Sequence, residues 1–248
     1  MTDDRNETPS GSVCRYEAVI FDMDGTVLDT VEDLKVSINY AMSRCGHRCD
    51  FTDADTRCFF GSGAYTAVQR ALAMEAGADR DALYADGNSL NEDPEETEKI
   101  LSVFRPYYEA HCRDTTSPYS GITELLQELQ EEGIRAAVVS NKPDPAVQLL
   151  AEKHFKGLFA AVCGEKAGVP RKPSPDMVWQ VLGELGVSPE AALYVGDSEI
   201  DALTAGNAGM DCCLVTWGFR PAAFLRSLDP KITANTAEEL KTFILEGV

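Results

Sequence analysis

Asp22 and Asp24 stand two residues apart in the stretch FDMDGTVLDT, just past an apolar run covering residues 16–21. Two carboxylates at a strand exit serve either a turn or a reaction centre, and the other strand exits decide between them. Open α/β sheets bind ligands at the carboxyl ends of their strands. Further apolar runs at 134–139, 159–163 and 191–195 lead into Ser140-Asn141-Lys142, through Gly164 to Arg171-Lys172-Pro173, and into Gly196-Asp197 with Asp201 four residues on. These exits together offer four carboxylates, a hydroxyl and a lysine. Each close carboxylate pair repels by roughly 1–4 kcal/mol at realistic dielectric, which raises carboxyl pKa values unless a cation sits among them. An oxygen-only set of aspartates suits Mg²⁺, which leaves room for phosphate oxygens. Asp22 can then act as a nucleophile, with Ser140 and Lys172 holding the oxygens of a transferring phosphoryl group. Asp24 is placed to protonate the leaving group and then to deprotonate the attacking water.

The elements that must position these groups are legible as well. The apolar runs, with a last one at 211–216, are continuous rather than alternating, as in strands buried on both faces of a parallel sheet. Before the second run, Ser120 is the expected N-cap of a helix with the stripe Ile122, Leu125, Leu126 and Leu129, closed by Gly133. Thr236 to Glu239 reads as a capping box. Alternating strands and helices predict an α/β, Rossmann-like parallel sheet. Between the first and second runs lie about a hundred residues with helical patterns over Val31–Cys45, Tyr65–Ala76 and Glu95–Cys112, and a turn-rich acidic stretch at 85–95. No crossover needs that much chain, so an inserted all-helical domain is expected. The division is a disordered tail over 1–14, a core over 15–29 and 113–248, and a helical insert over 30–112.

Composition narrows the partners. Of 248 residues, 22 are Lys or Arg and 41 Asp or Glu, a formal charge of −19. Such a surface repels nucleic acid and anionic membranes, so neither is expected as a partner. A small anionic substrate binds only where local cations or a metal reverse the field. The eight cysteines form no CxxC pair, and Cys45, His47 and Cys49 lack the second ligand pair of a zinc site. The N-terminus has no cationic start and apolar core of a secretory signal, and no apolar run is long enough to span a bilayer. A cytoplasmic protein with reduced thiols is expected.

The motifs Asp22-Met-Asp24-Gly-Thr26, Val-Val-Ser140-Asn141-Lys, Arg-Lys172-Pro-Ser-Pro-Asp and Val-Gly-Asp197-Ser-Glu-Ile-Asp201 resemble the four ordered motifs of the haloacid dehalogenase superfamily. The resemblance runs from about Tyr16 to the C-terminus. The helical insert is similar to that superfamily's four-helix cap. Phe60 to Gly63, Tyr107 to His111, Pro118 to Ile122 and Val215 to Phe219 are similar to its phosphoglycolate phosphatase-like branch. The resemblance implies that Asp22 is the nucleophile and a Mg²⁺ ligand, and that Asp24 is the acid/base, its main-chain carbonyl also on the metal. It implies that Asp197 ligates Mg²⁺ directly and Asp201 from behind it, while Ser140 and Lys172 hold the phosphoryl group. Thr26, Asn141 and the loop Gly61-Ser62-Gly63 are the expected substrate contacts. Glu199 is expected to be solvated helix surface.

The implied activity is hydrolysis of a small phosphorylated metabolite, phosphoglycolate by resemblance. Asp24 argues against a dehalogenase, which lacks the second aspartate. Residues 31–98 contain a single lysine, Lys35, near the start of the insert, which argues against a phosphonate-cleaving enzyme with a Schiff-base lysine. An inorganic pyrophosphatase and a sugar-phosphate phosphatase or mutase stay open, since only the insert separates them. A phospho-acceptor or regulatory binding domain is the non-enzyme alternative, and Asp24 counts against it.

Overall fold

A computed structural model describes residues 15–80, 83 and 93–247 of the chain. The 1–14 stretch, expected to be a disordered tail, and residues 85–92 of the acidic segment lie outside the described residues. Six parallel strands, β1 (Ala18–Phe21), β4 (Arg135–Pro143), β5 (Ala161–Glu165), β6 (Ala192–Gly196), β7 (Asp211–Val215) and β8 (Ile232–Ala234), form one sheet in the order β5-β4-β1-β6-β7-β8. The chain moves outward from β1 through β4 to β5, then returns to the other side of β1 with β6. The switch point therefore lies at β1. Phe21 pairs in register with Val138 of β4 and Val195 of β6, which brings the three strand exits to one level.

Side chains alternate across a strand. Val19 and Phe21 accordingly enter a cluster with Leu126, Leu150 and Leu240 on one face of the sheet. Ala18 and Ile20 enter a second cluster with Val178, Val181 and Tyr194 on the other. Both faces are covered by α5 (Ile122–Glu131), α6 (Asp144–His154), α7 (Asp176–Leu185), α8 (Glu199–Ala208) and α10 (Ala237–Glu246), while α9 (Ala222–Ser227) follows β7. The continuous apolar pattern of β1 follows from this burial on two sides.

Some local expectations need correction. Gly121, at φ 82°, precedes the first residue of α5 rather than Ser120, because the chain turns there through a left-handed conformation. Thr236 does cap α10, accepting from the Glu239 N–H at 3.1 Å, but the Glu239 carboxylate accepts from the Asn235 N–H at 2.7 Å instead of closing the box. β4 continues past Val139 to Pro143, with a register shift that carries Ser140, Asn141 and Lys142.

Leu28–Asp29 (β2) pairs antiparallel with Ser117–Pro118 (β3). Between them four helices are described: α1 (Val31–Arg44), α2 (Asp53–Phe59), α3 (Ala64–Glu75) and α4 (Pro94–His111). Three match the periodic patterns to within one residue at each end. α2, at seven residues, is too short to carry a period; its start is marked by a capping box of Thr52 and Asp55. The helices enclose their own apolar cluster, with Ile38, Met42, Phe59, Val68, Ile100 and Phe104.

Candidate active site

Asp22 leaves β1, Asp197 leaves β6 and Asp201 stands in the first turn of α8. One carboxylate oxygen from each lies within 4.8 Å of the others, and all three residues are buried. The Asp201 Oδ2 atom closes the turn after β6, accepting from the Asp197 and Ser198 N–H groups at 3.2 and 3.1 Å and from Ser198 Oγ at 2.6 Å. Lys172 Nζ donates to Asp22 at 2.8 Å and to Asp201 at 2.9 Å. Asp197 accepts from Thr26 Oγ1 at 3.2 Å and from the Phe219 N–H at 2.5 Å. Gly25 makes this packing possible: at φ 84° it turns the chain, and any Cβ there would collide with the Asp197 carboxylate.

One ammonium is thus shared by two of three buried carboxylates, and Asp197 has, among the described residues, only the Thr26 hydroxyl and the Phe219 N–H. Burial alone disfavours the charge on Lys172, yet Asp201 and Asp22 hold it well above the usual lysine value. Asp22 is pushed up to about 7 by burial, with the charges of Asp201 and Asp24 adding to it against the pull of Lys172. Burial, then Asp201 and Asp22, raise Asp197 well above the carboxylate range. The cluster is short of positive charge.

Asp24 lies outside this trio. Its carboxylate accepts from Lys142 Nζ at 2.7 Å, and Lys142 also donates to the Tyr108 hydroxyl of α4. Ser140, 2% exposed, accepts from the Lys142 N–H at 3.3 Å. The Asn141 side chain is occupied by the main chain of Lys172, donating to its carbonyl at 3.0 Å and accepting from its N–H at 2.8 Å. This reciprocal pair fixes the β4 exit against the segment that carries Lys172.

A cavity of about 480 Å³ opens above these strand ends. Asp22, Asp24, Ser140 and Asn141 line it from the core, and Gly61, Gly63, Tyr65 and Tyr108 from the helical insert. Thr26 is fully buried and spends its hydroxyl on Asp197 rather than facing the cavity. Ser62 does not line the cavity, and its Oγ is buried without a hydrogen-bond partner. Lys172, Asp197 and Asp201 lie beneath the cavity floor.

Glu199 is not the solvated surface residue that its position suggested. Its two oxygens accept from Arg220 Nε at 2.7 Å and Nη2 at 2.9 Å, and Arg220 is 1% exposed. Burial disfavours the Glu199 charge, but Arg220 outweighs it and holds the carboxyl below its usual range. Arg220 Nη1 also donates to the carbonyls of Arg57 at 2.8 Å and Phe60 at 3.0 Å, at the end of α2. In return Arg57 donates to the Gly218 carbonyl at 2.9 Å. These bonds tie the loop after β7 to the loop bearing Gly61.

A sequence model described as haloacid dehalogenase-like hydrolase matches residues 19–215, from β1 through β7 and so across every strand exit described above. The chain belongs to the haloacid dehalogenase-like hydrolase family. Among its relatives, phosphoglycolate phosphatase 1 of Pseudomonas aeruginosa is 32% identical over 223 residues, 90% of this chain and 77% of that protein. A phosphoglycolate phosphatase of Cereibacter sphaeroides is 33% identical over 205 residues, 82% of this chain and 87% of its own length. A crystal structure from Lactobacillus delbrueckii subsp. bulgaricus, provisionally assigned as a phosphoglycolate phosphatase, superposes with a TM-score of 0.90 at 48% identity, covering 93% of this chain and 98% of that one. This member of the dehalogenase-like family therefore lies in its phosphoglycolate phosphatase-like branch.

Lys142 was legible as a strand-exit residue but not as the partner of Asp24, because the bond depends on the register shift in β4. Tyr108 was marked only as part of the Tyr107 to His111 resemblance and Arg220 not at all: each meets the site from an element remote in sequence.

Proposed function

We propose that this hydrolase is a Mg²⁺-dependent phosphatase that cleaves a small phosphomonoester through a phosphoaspartate on Asp22, with phosphoglycolate as its substrate. The observation that carries this reading is the buried trio Asp22, Asp197 and Asp201, with Lys172 paired to Asp22 and Asp201, set where Asp22 lines the cavity. A nucleophile, an anion-holding lysine and a shortage of positive charge meet at one point. The curated relatives named above supply the substrate.

The donor set fits a hard divalent ion, since it consists of carboxylate oxygens whose mutual repulsion a cation relieves. Asp22, Asp197 and the main-chain carbonyl of Asp24 would hold Mg²⁺, with Asp201 acting from behind them. When bound, the ion neutralises phosphoryl oxygens and keeps the carboxylates ionised. Asp22 attacks phosphorus as the bond to the leaving oxygen breaks, and Asp24 gives that oxygen its proton. Ser140 and Lys172 hold the oxygens of the group in transfer. A water then attacks the phosphoaspartate, returning a proton to Asp24 and releasing phosphate with Asp22 restored. The insert over 30–112 acts as a cap that excludes bulk water and selects the leaving group.

Among the described residues no helix is long and apolar enough to cross a membrane. A small phosphorylated metabolite in the cytoplasm is the partner this reading requires, with neither nucleic acid nor membrane engaged. The test is hydrolysis of phosphoglycolate, pyrophosphate, sugar phosphates and nucleotides, compared by kcat/KM with Mg²⁺ and with EDTA. Phosphoglycolate turnover that EDTA stops and Mg²⁺ restores is the expected result. Activity indifferent to EDTA, or absent on every phosphomonoester, overturns it.

A further inference from the structure

Four cationic side chains line the cavity: Arg105, Lys142, Lys166 and Arg171. Three have carboxylate partners, Lys142 with Asp24 at 2.7 Å, Lys166 with Asp144 at 3.4 Å and Arg105 with Glu98 at 3.5 Å. Arg171 differs. Among the described residues its guanidinium has no hydrogen-bond or ion-pair partner, although Glu109 and Glu165 line the same cavity. In a chain of formal charge −19, an unpaired and partly buried guanidinium is unusual. Its desolvation is uncompensated until an anion arrives.

Its location says which part of a substrate it meets. A Cβ built on Gly63 would lie 3.1 Å from Arg171 Nη1 and 3.9 Å from the Asn141 carbonyl. The guanidinium therefore sits at the seam between the insert loop and the turn that follows Ser140. Arg171 is also bonded in sequence to Lys172, whose own ammonium is spent on Asp22 and Asp201 below the floor. Adjacent residues thus send their charges to different places, one into the reaction centre and one to the side of it. A guanidinium's planar fork matches a carboxylate or phosphate with two parallel hydrogen bonds.

We propose that Arg171 is the specificity-determining residue of the cavity, pairing with a second anionic group carried by the leaving alcohol. The substrate class is a phosphomonoester whose leaving group bears a carboxylate or a further phosphoryl group. This rests on the phosphatase reading above and adds to it the chemistry of the leaving group.

The test compares wild type with Arg171→Gln and Arg171→Lys on three substrates: phosphoglycolate, the bisphosphate of ethylene glycol and ethyl phosphate, whose leaving group is uncharged. Wild type prefers at least one anion-tailed substrate over ethyl phosphate, and the larger kcat/KM tells a carboxylate from a phosphoryl tail. Arg171→Gln lowers kcat/KM on that substrate by about 50-fold, mostly through KM. Its loss on ethyl phosphate is at least tenfold smaller, and Arg171→Lys falls between wild type and Arg171→Gln. Because the comparison is a ratio within one sample, a poorly folded fraction cancels. Equal losses on charged and neutral substrates overturn the assignment, as does a wild type that shows no preference for an anionic tail. Either outcome leaves the wild type active on ethyl phosphate, whereas wild-type inactivity on every phosphomonoester overturns the parent reading instead.

Discussion

The exits of β1 and β4 and the loop carrying Gly61 and Gly63 line the same cavity, with the exit of β6 beneath it, yet floor and loop are held in opposite ways. At the strand exits each side chain is fixed by neighbours within the sheet core. Asp201 bonds the turn after β6, Asn141 bonds the main chain of Lys172, and Thr26 bonds Asp197. The insert meets this floor through a handful of polar ties: Tyr108 on Lys142, Arg220 on the Arg57 and Phe60 carbonyls, and Arg57 on the Gly218 carbonyl. Chemistry is thus built on a rigid floor. The insert's helices pack around an apolar cluster that Ala146 and Phe219 of the core join, and few hydrogen bonds connect them to the floor.

The largest effect should come from the floor. Asp22→Asn should lower kcat by at least about 10³-fold, as loss of a covalent nucleophile does. It should not lower the melting temperature without metal, because it removes one of three crowded, buried carboxylates of which one ammonium pairs with two. A variant retaining a tenth of wild-type turnover would take the nucleophile's role away from Asp22. A variant that melts well below wild type would show instead that its charge stabilises the floor.

A smaller loss, of stability, is expected where insert and core are joined. Arg220→Met leaves Glu199 in a partly buried site with Arg70, 3.9 Å away, as its ion-pair neighbour among the described residues. Breaking one side of a buried pair costs about 3 kcal/mol in denaturant unfolding. Adding Glu199→Gln to Arg220→Met should recover part of that loss, since the orphaned charge is then gone. If the double variant is no more stable than the single one, the cost lies in the loop carbonyls and not in the ion pair.

The same contrast explains what could be read from the chain alone. The floor was legible because a parallel sheet places functional groups just past continuous apolar runs, so Asp22, Ser140 and Asp197 follow from position. Its internal bonds were less so. Lys142 reaches Asp24 only because β4 shifts register after Val139. Glu199 looked like exposed helix because its partner Arg220 stands beyond β7, in a loop with no period to read. In the insert, helical periodicity located α1, α3 and α4, but not the short α2 that ends at the cavity loop. Arg171 lay next to a recognisable lysine, and only the cavity distinguishes their roles.

The third prediction concerns the clasp at the root of the insert. Asp33, in the first turn of α1, accepts hydrogen bonds from the Thr115 and Thr116 N–H groups at 3.0 Å each. It also accepts from their hydroxyls at 2.6 and 2.8 Å. It thereby pins the chain entering the insert to the chain leaving it, beside the β2–β3 ribbon. Burial disfavours its charge, but these donors outweigh burial and hold its carboxyl below the usual aspartate value. The folded pKa is depressed, so its contribution is fully present above the unfolded value of about 3.9 and is lost as pH falls through the folded one. Asp33→Asn turns an NH₂ group towards N–H donors and should cost about 2 kcal/mol at pH 7. Measured by urea unfolding from pH 7 to pH 3, the gap between wild type and variant should hold above about pH 4 and narrow below it. All other titrating groups are common to both chains, so they cancel in the difference. A gap that stays constant down to pH 3 would mean that the clasp depends on the shape of Asp33 and not on its charge.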